Sequence, residues 1–106
     1  MYKPLPDGLT IKQSKVQGLG LFATKDFDKE VVLGIVHIEN KNFPHGAIRT
    51  ALGAFYNHSD TPNCMNLKGF WHQLPVRYLC TIKKIKAGEE LTAKYTMYAD
   101  FDKDGN

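Results

Sequence analysis

A chain of 106 residues with 42% hydrophobic residues and a formal charge of +3 describes one globular domain, residues 1–106, because two cores of half this size would each bury too little apolar surface. The basic residues are spread from Lys3 to Lys103, with only KKIK at 83–86 clustered. This argues against a dedicated nucleic-acid-binding module, which needs a basic stripe. No apolar run approaches a membrane span and MYKPLPDGLT lacks the basic-then-apolar pattern of a secretory signal, so the protein is expected to be soluble and intracellular, in cytoplasm or nucleus.

In chain order, short segments rich in β-branched and aromatic residues predict strands over 9–16 (LTIKQSKV), 19–24 (LGLFAT), 31–38 (VVLGIVHI), 76–82 (VRYLCTI) and 90–98 (ELTAKYTMY). Gly18, KDFDKE, NFPHG and KAGE are the turn signals between them. One short helix fits AIRTALGAFY at 47–56. With no repeat and no linker, the pattern is a mostly β domain with little helix and without a nucleotide-binding βαβ unit.

Four stretches could carry chemistry. In QGLGLFA (17–23), two glycines one residue apart let the backbone approach a ligand closely. On its own this reads more readily as a tight turn, since a dinucleotide fingerprint needs a third glycine and a following helix. NHSDTPNC (57–64) formally contains a glycosylation acceptor, which matters only in a secreted protein. It makes a thin metal site, because His45 and His72 are at least 13 residues from His58. Cys64 and Cys80 form no CxxC pair and read as buried thiols, so no metal is expected. What survives is a polar turn whose Asn side chain and backbone can bond a ligand. IKKIKAGEELTAKYTMY (82–98) places Tyr95 five residues beyond Glu90, where a partly buried core tyrosine is the commoner outcome. DFDKDGN (100–106) opens like a calcium loop but has no closing ligands, and reads as a solvated acidic tail.

Taken together and in this order, GLGLFA, FYNHSDTPNC and IKAGEELTAKY resemble the SET domain of protein lysine methyltransferases, in the manner of the small stand-alone viral and bacterial members. The resemblance spans about residues 9–98 and leaves 99–106 as a short tail. It implies a fold of small twisted β-sheets with a C-terminal pseudoknot, a rare exception to unthreaded connections. It also implies an enzyme that transfers methyl from S-adenosylmethionine to the side-chain amine of a lysine in a protein, histone or otherwise, leaving S-adenosylhomocysteine. By the same resemblance, Gly18, Leu19 and Gly20 line the methionine end of the cofactor. Asn57 bonds its amino group, the His58 backbone meets the adenine edge, and Asn63 braces the pseudoknot. Tyr95 is the active-site tyrosine, and Phe55, Tyr56 and Tyr98 line the channel for the substrate lysine.

The chain departs from the family pattern in several places. Asp60 stands where many relatives carry a zinc-binding cysteine, and no cysteine-rich tail follows, so Tyr98 or Phe101 is left to cover the adenine. Ala54 replaces a common arginine, Lys94 an acidic residue, and Ala93 an aromatic linked to the number of methyls added. Only 33 residues separate Ala23 from Asn57, so the wall that reads the substrate is short. A second subunit could complete it, which makes a homodimer possible. The alternative to an active enzyme is a protein-binding module that keeps the fold without catalysis.

Overall fold

The structure is a computed structural model that describes residues 5–43 and 46–100, with side chains described for all of these except 95–100. Strands β1 (Leu9–Gln13), β2 (Leu19–Ala23), β3 (Val32–Glu39) and β4 (Ala47–Arg49) precede one helical turn, α1 (Ala51–Phe55). After it come β5 (Asn57–His58), β6 (Cys64–Trp71), β7 (Leu74–Thr81) and β8 (Glu90–Asp100). The fold is mostly β, as its composition of short strands implies.

All five predicted strands exist, with ends shifted by a few residues. Two further regions differ from expectation. The predicted helix splits, because Ala47–Arg49 pairs with β3 (His37 opposite Arg49, Glu39 opposite Ala47) and leaves only the last turn helical. Thr50 caps that turn: its hydroxyl accepts from the Gly53 amide at 3.2 Å and donates to the Ile35 carbonyl at 2.6 Å. Gly53 has no side chain because a Cβ there would strike the Val36 carbonyl, so the turn lies flat on β3. The second difference is β6, whose CMNLKGFW is interrupted by Asn, Lys and Gly and gives no strand signal. It is held by full-length antiparallel pairing with β7, from Cys64 opposite Thr81 to Trp71 opposite Leu74. His72 and Gln73 close that hairpin with positive φ (48° and 67°), the left-handed pair a two-residue turn requires.

The strand order is β1-β2-β8-β6-β7-β3-β4, with β5 also beside β8. The last strand is therefore an interior one. It runs antiparallel to β2 and parallel to β5 and β6. Asn63 fixes it at both ends of one amide, donating to the Glu90 carbonyl at 2.8 Å and accepting from the Thr92 amide at 2.9 Å. Between Cys64 (opposite Ala93) and Asn66 (opposite Tyr98) the register slips, so β8 bulges over 94–97. Leu21, Val36, Cys64, Leu79, Ile85, Leu91 and Ala93 form the buried centre. Burial pushes the Cys64 thiol up to about 12, with Cys80 adding to the shift, so at neutral pH it is a packed and unreactive thiol, as expected of both cysteines. No helix among the described residues is long and apolar enough to cross a membrane.

Candidate active site

Two hollows meet at Asn57. The first is a notch between the β1–β2 turn and β8. Ser14 builds the turn: its amide donates to the Gly18 carbonyl at 2.7 Å, and its hydroxyl accepts from the Val16 amide at 2.9 Å. Gly18 sits at φ 51°, left-handed backbone that glycine adopts without cost. The Ser14 hydroxyl also lies 2.8 Å from both carboxylate oxygens of Glu90, at the start of β8. That carboxylate rests on Gly20, where a Cβ would collide with Glu90 Oε2. The absent side chain at Gly20 therefore makes room for a carboxylate.

Asn57 completes the notch from β5. Its amide nitrogen reaches Glu90 Oε2 at 2.8 Å, the Gln17 carbonyl at 3.2 Å and the Leu19 carbonyl at 3.3 Å. Two N–H groups thus serve three acceptors, one of them an anion. Such a cluster has acceptor capacity left over and favours a cationic donor, such as an ammonium group.

The second hollow is a cavity of about 260 Å³ beyond Asn57, walled by Tyr56, Asn66, His37, Arg49 and Arg77 as well as Asn57 itself. Tyr56 is buried, and its hydroxyl accepts from the Asn66 amide at 3.3 Å. Two buried polar atoms here, His37 Nδ1 and Asn66 Oδ1, have no hydrogen-bond partner among the described residues. The His37 pKa is lowered, first by burial and then by the guanidiniums of Arg49 and Arg77, with Glu39 opposing, so the ring is neutral at pH 7.

The expected residues fall as follows. Leu19, Gly20 and Asn57 come together in the notch, with Gly18 in the turn beside it. His58 pairs in register with Ala93 of β8, and its Nε2 lies 3.4 Å from Asp60 Oδ1. Tyr56 lines the cavity, whereas the half-buried Phe55 ends α1 outside the cavity wall. Tyr95 lies in the β8 bulge beside Met65 and Asn66, and Tyr98 is in register with Asn66. The side chains of Tyr95 and Tyr98, and all of His45, Phe101 and residues 101–106 of the DFDKDGN tail, lie outside the described residues. Sequence reasoning missed Ser14, Glu90, His37, Arg49, Asn66 and Arg77 as site residues. Glu90 lies within IKAGEELTAKY, where its carboxylate gave no signal of its own, and the others carry no local motif, since each is brought in by the fold.

A family model for the SET domain matches residues 36–96, more than half of the chain. The chain belongs to the SET-domain family. Solved structures agree on the fold of this SET domain. A histone methyltransferase candidate of Plasmodium falciparum superposes with a TM-score of 0.70 at 21% identity, covering 83% of this chain and 92% of the other. The Chaetomium thermophilum Polycomb Repressive Complex 2, in an autoinhibited conformation bound to S-adenosylmethionine, gives 0.67 at 20% identity. There the match covers 86% of this SET domain but 15% of the partner chain. An inhibitor-bound humanized mutant of the same complex gives 0.70 at 20% identity, with the same coverage. No curated protein matches this SET domain by sequence.

Proposed function

We propose that this SET domain is a protein-lysine N-methyltransferase that uses S-adenosylmethionine. The observation that carries the reading is the junction at Asn57, where a notch suited to a cationic amino group abuts a cavity of about 260 Å³, room enough for a side chain. S-adenosylmethionine carries two cationic centres, an ammonium and a sulfonium. The Gln17 and Leu19 carbonyls and the Glu90 carboxylate are the acceptors such a molecule needs. When bound, it would supply a methyl group to which a neutral amine nitrogen bonds in line as the C–S bond breaks, the thioether leaving with the electron pair.

The chain's own residues have two tasks. One is to hold the amine nitrogen in line with the methyl carbon and the sulfur, which supplies much of the acceleration in such displacements; Asn57, shared by both hollows, fixes one side to the other. The second is to favour the neutral amine. Lysine titrates near about 10.4, so deprotonation at pH 7.5 costs roughly 4 kcal/mol in water. A cavity walled by the buried Tyr56 lowers that cost by desolvating the ammonium. We assign Tyr95 to the methyl-transfer point and Tyr98, with Tyr56, to the lysine channel, on the position of the β8 bulge beside Asn66. An interior β8 laid between β2 and β6 accords with the threaded pseudoknot.

A second reading, a binding module without turnover, has one observation in its favour: the Asn57 amide is already bonded by the chain's own acceptors. Calorimetric titration with S-adenosylmethionine, run beside Asn57→Ala, separates the two. Saturable binding weakened about ten-fold or more by the substitution, followed by labelled-methyl transfer to cell extract that Tyr95→Phe abolishes, supports the enzyme. Failure to bind at millimolar cofactor sinks it.

A further inference from the structure

Glu90 is an anion without a cation. Its carboxylate is half-buried at the start of β8, and its donors are the Ser14 hydroxyl, 2.8 Å from both oxygens, and the Asn57 amide, 2.8 Å from Oε2. Both donors are neutral, and no lysine, arginine or histidine among the described residues forms an ion pair with it. Charges withdrawn from water are normally paired, so a carboxylate held in this way marks a place for an incoming cation. The acceptors around it say which kind. The Gln17 and Leu19 carbonyls, at 3.2 and 3.3 Å, converge with Glu90 Oε2 on the single nitrogen of the Asn57 amide. That nitrogen has two hydrogens for three acceptors, whereas an alkylammonium has three. A sulfonium has no N–H to donate and gains no hydrogen bond from acceptors aimed at one point.

We propose that Glu90 is the counter-ion of the cofactor's ammonium, which takes the place of the Asn57 amide on that carboxylate, and that Ser14 is the positioning residue that holds Glu90 to receive it. The inference rests on the methyltransferase reading and deepens its cofactor site. With both partners charged, the ammonium–carboxylate bond outcompetes that of the neutral amide. The displaced amide can turn its oxygen to the same ammonium, which keeps Asn57 in the site. Ser14 reaches Glu90 across 76 positions of sequence and is itself fixed by the turn, its amide bonded to the Gly18 carbonyl and its hydroxyl accepting from the Val16 amide. A Cβ at Gly20 would press on both the Glu90 carboxylate and the Ser14 Cβ, so the glycine leaves space for the counter-ion and its holder alike. Selection by the amino group also fixes how the product is treated. S-adenosylhomocysteine keeps the ammonium and loses only the sulfonium, so the notch grips cofactor and product alike.

The test is calorimetric titration of the full chain with three ligands: S-adenosylmethionine, S-adenosylhomocysteine, and S-adenosylhomocysteine with its amino group replaced by hydrogen. The parent should bind the deaminated compound about ten-fold or more weakly than S-adenosylhomocysteine. Glu90→Gln keeps the shape and an acceptor oxygen and removes the charge. It should weaken both amino-bearing ligands about ten-fold and leave the deaminated one unchanged, so that the selection disappears. Ser14→Ala should weaken the same two ligands by about three-fold, and Ser14→Thr, which keeps the hydroxyl, should restore them. A merely structural role for either residue would lower all three ligands together, and that result overturns the proposal. So does a parent that binds the deaminated compound as well as S-adenosylhomocysteine. Loss of S-adenosylmethionine alone in Glu90→Gln would mean that the carboxylate answers the sulfonium, and overturns it too. Each of these outcomes leaves the methyltransferase reading standing. A parent that binds none of the three ligands removes that reading, and the counter-ion with it.

Discussion

The notch and the cavity lie on either side of one asparagine and differ in almost every physical respect. The notch is anionic and internally bonded, with Glu90, Ser14 and Asn57 tied to one another and to backbone carbonyls. The cavity is lined by His37, Arg49 and Arg77 and is incompletely bonded, with Asn66 Oδ1 and His37 Nδ1 lacking partners among the described residues. A finished network holds its shape before a ligand arrives, and an unfinished one takes its shape from what enters. The contrast assigns the notch to a constant ligand and the cavity to the variable one.

The harshest way to break the comparison is to remove the support common to both. Leu91 is fully buried on β8, opposite Leu21, and Leu91→Ala should cost about 2–5 kcal/mol. Urea unfolding should show that loss together with failure of both cofactor and peptide binding; a stable variant would mean that β8 is not what joins them. Asn63→Ala removes both bonds that clamp β8 and should cost about 1–3 kcal/mol, with the notch side at Glu90 loosened first. Amide exchange at Thr92 would register this, and unchanged protection there would contradict the clamp.

Gly20→Ala sharpens the contrast, because it acts on one hollow. The added methyl displaces the Glu90 carboxylate and should weaken S-adenosylmethionine about ten-fold, roughly 1.4 kcal/mol, while affinity for a lysine peptide holds. Parallel titrations would decide it, and equal losses in both would mean that the hollows are not separable. The mildest test is pH. The folded pKa of His37 lies below its unfolded value near about 6.5. Its contribution to stability is therefore complete above that value and declines as pH falls through the folded pKa. Thermal unfolding of His37→Gln should lose less stability than the parent below pH 6, by under about 1 kcal/mol given the partial exposure of the ring. Identical pH profiles would remove His37 as the acid-sensitive part of the cavity.

Much of this was legible in the residues. Short segments rich in β-branched and aromatic residues, with turn signals between them, located five strands, and the Gly-Leu-Gly, Asn-His-Ser and Glu-Glu-Leu stretches carried the family resemblance. The illegible parts share a physical cause. β6 has weak intrinsic preference and becomes a strand through its partner β7, and Ala47–Arg49 reads as helix until β3 claims it. Glu90 read only as the start of a strand, because nothing local says that its carboxylate will lie on Gly20. His37, Arg49 and Arg77 are far apart in sequence and are brought side by side only by register.

Because β8 is the strand that joins the β1–β2 hairpin to the rest of the pairing order, the site has a late birthday. The hairpin can close early from local contacts, and so can β6–β7, but Leu21 must wait for Leu91 and Asn57 for Thr92. Such distant pairings carry a loop-closure cost before they return any stability, which slows folding. On a ribosome releasing the chain from its N-terminus, the notch cannot take shape until β8, which brings Glu90, has emerged. Until then the facing edges of β2 and β6 stand unpaired, and how quickly β8 is delivered sets how long the nascent protein is exposed to aggregation.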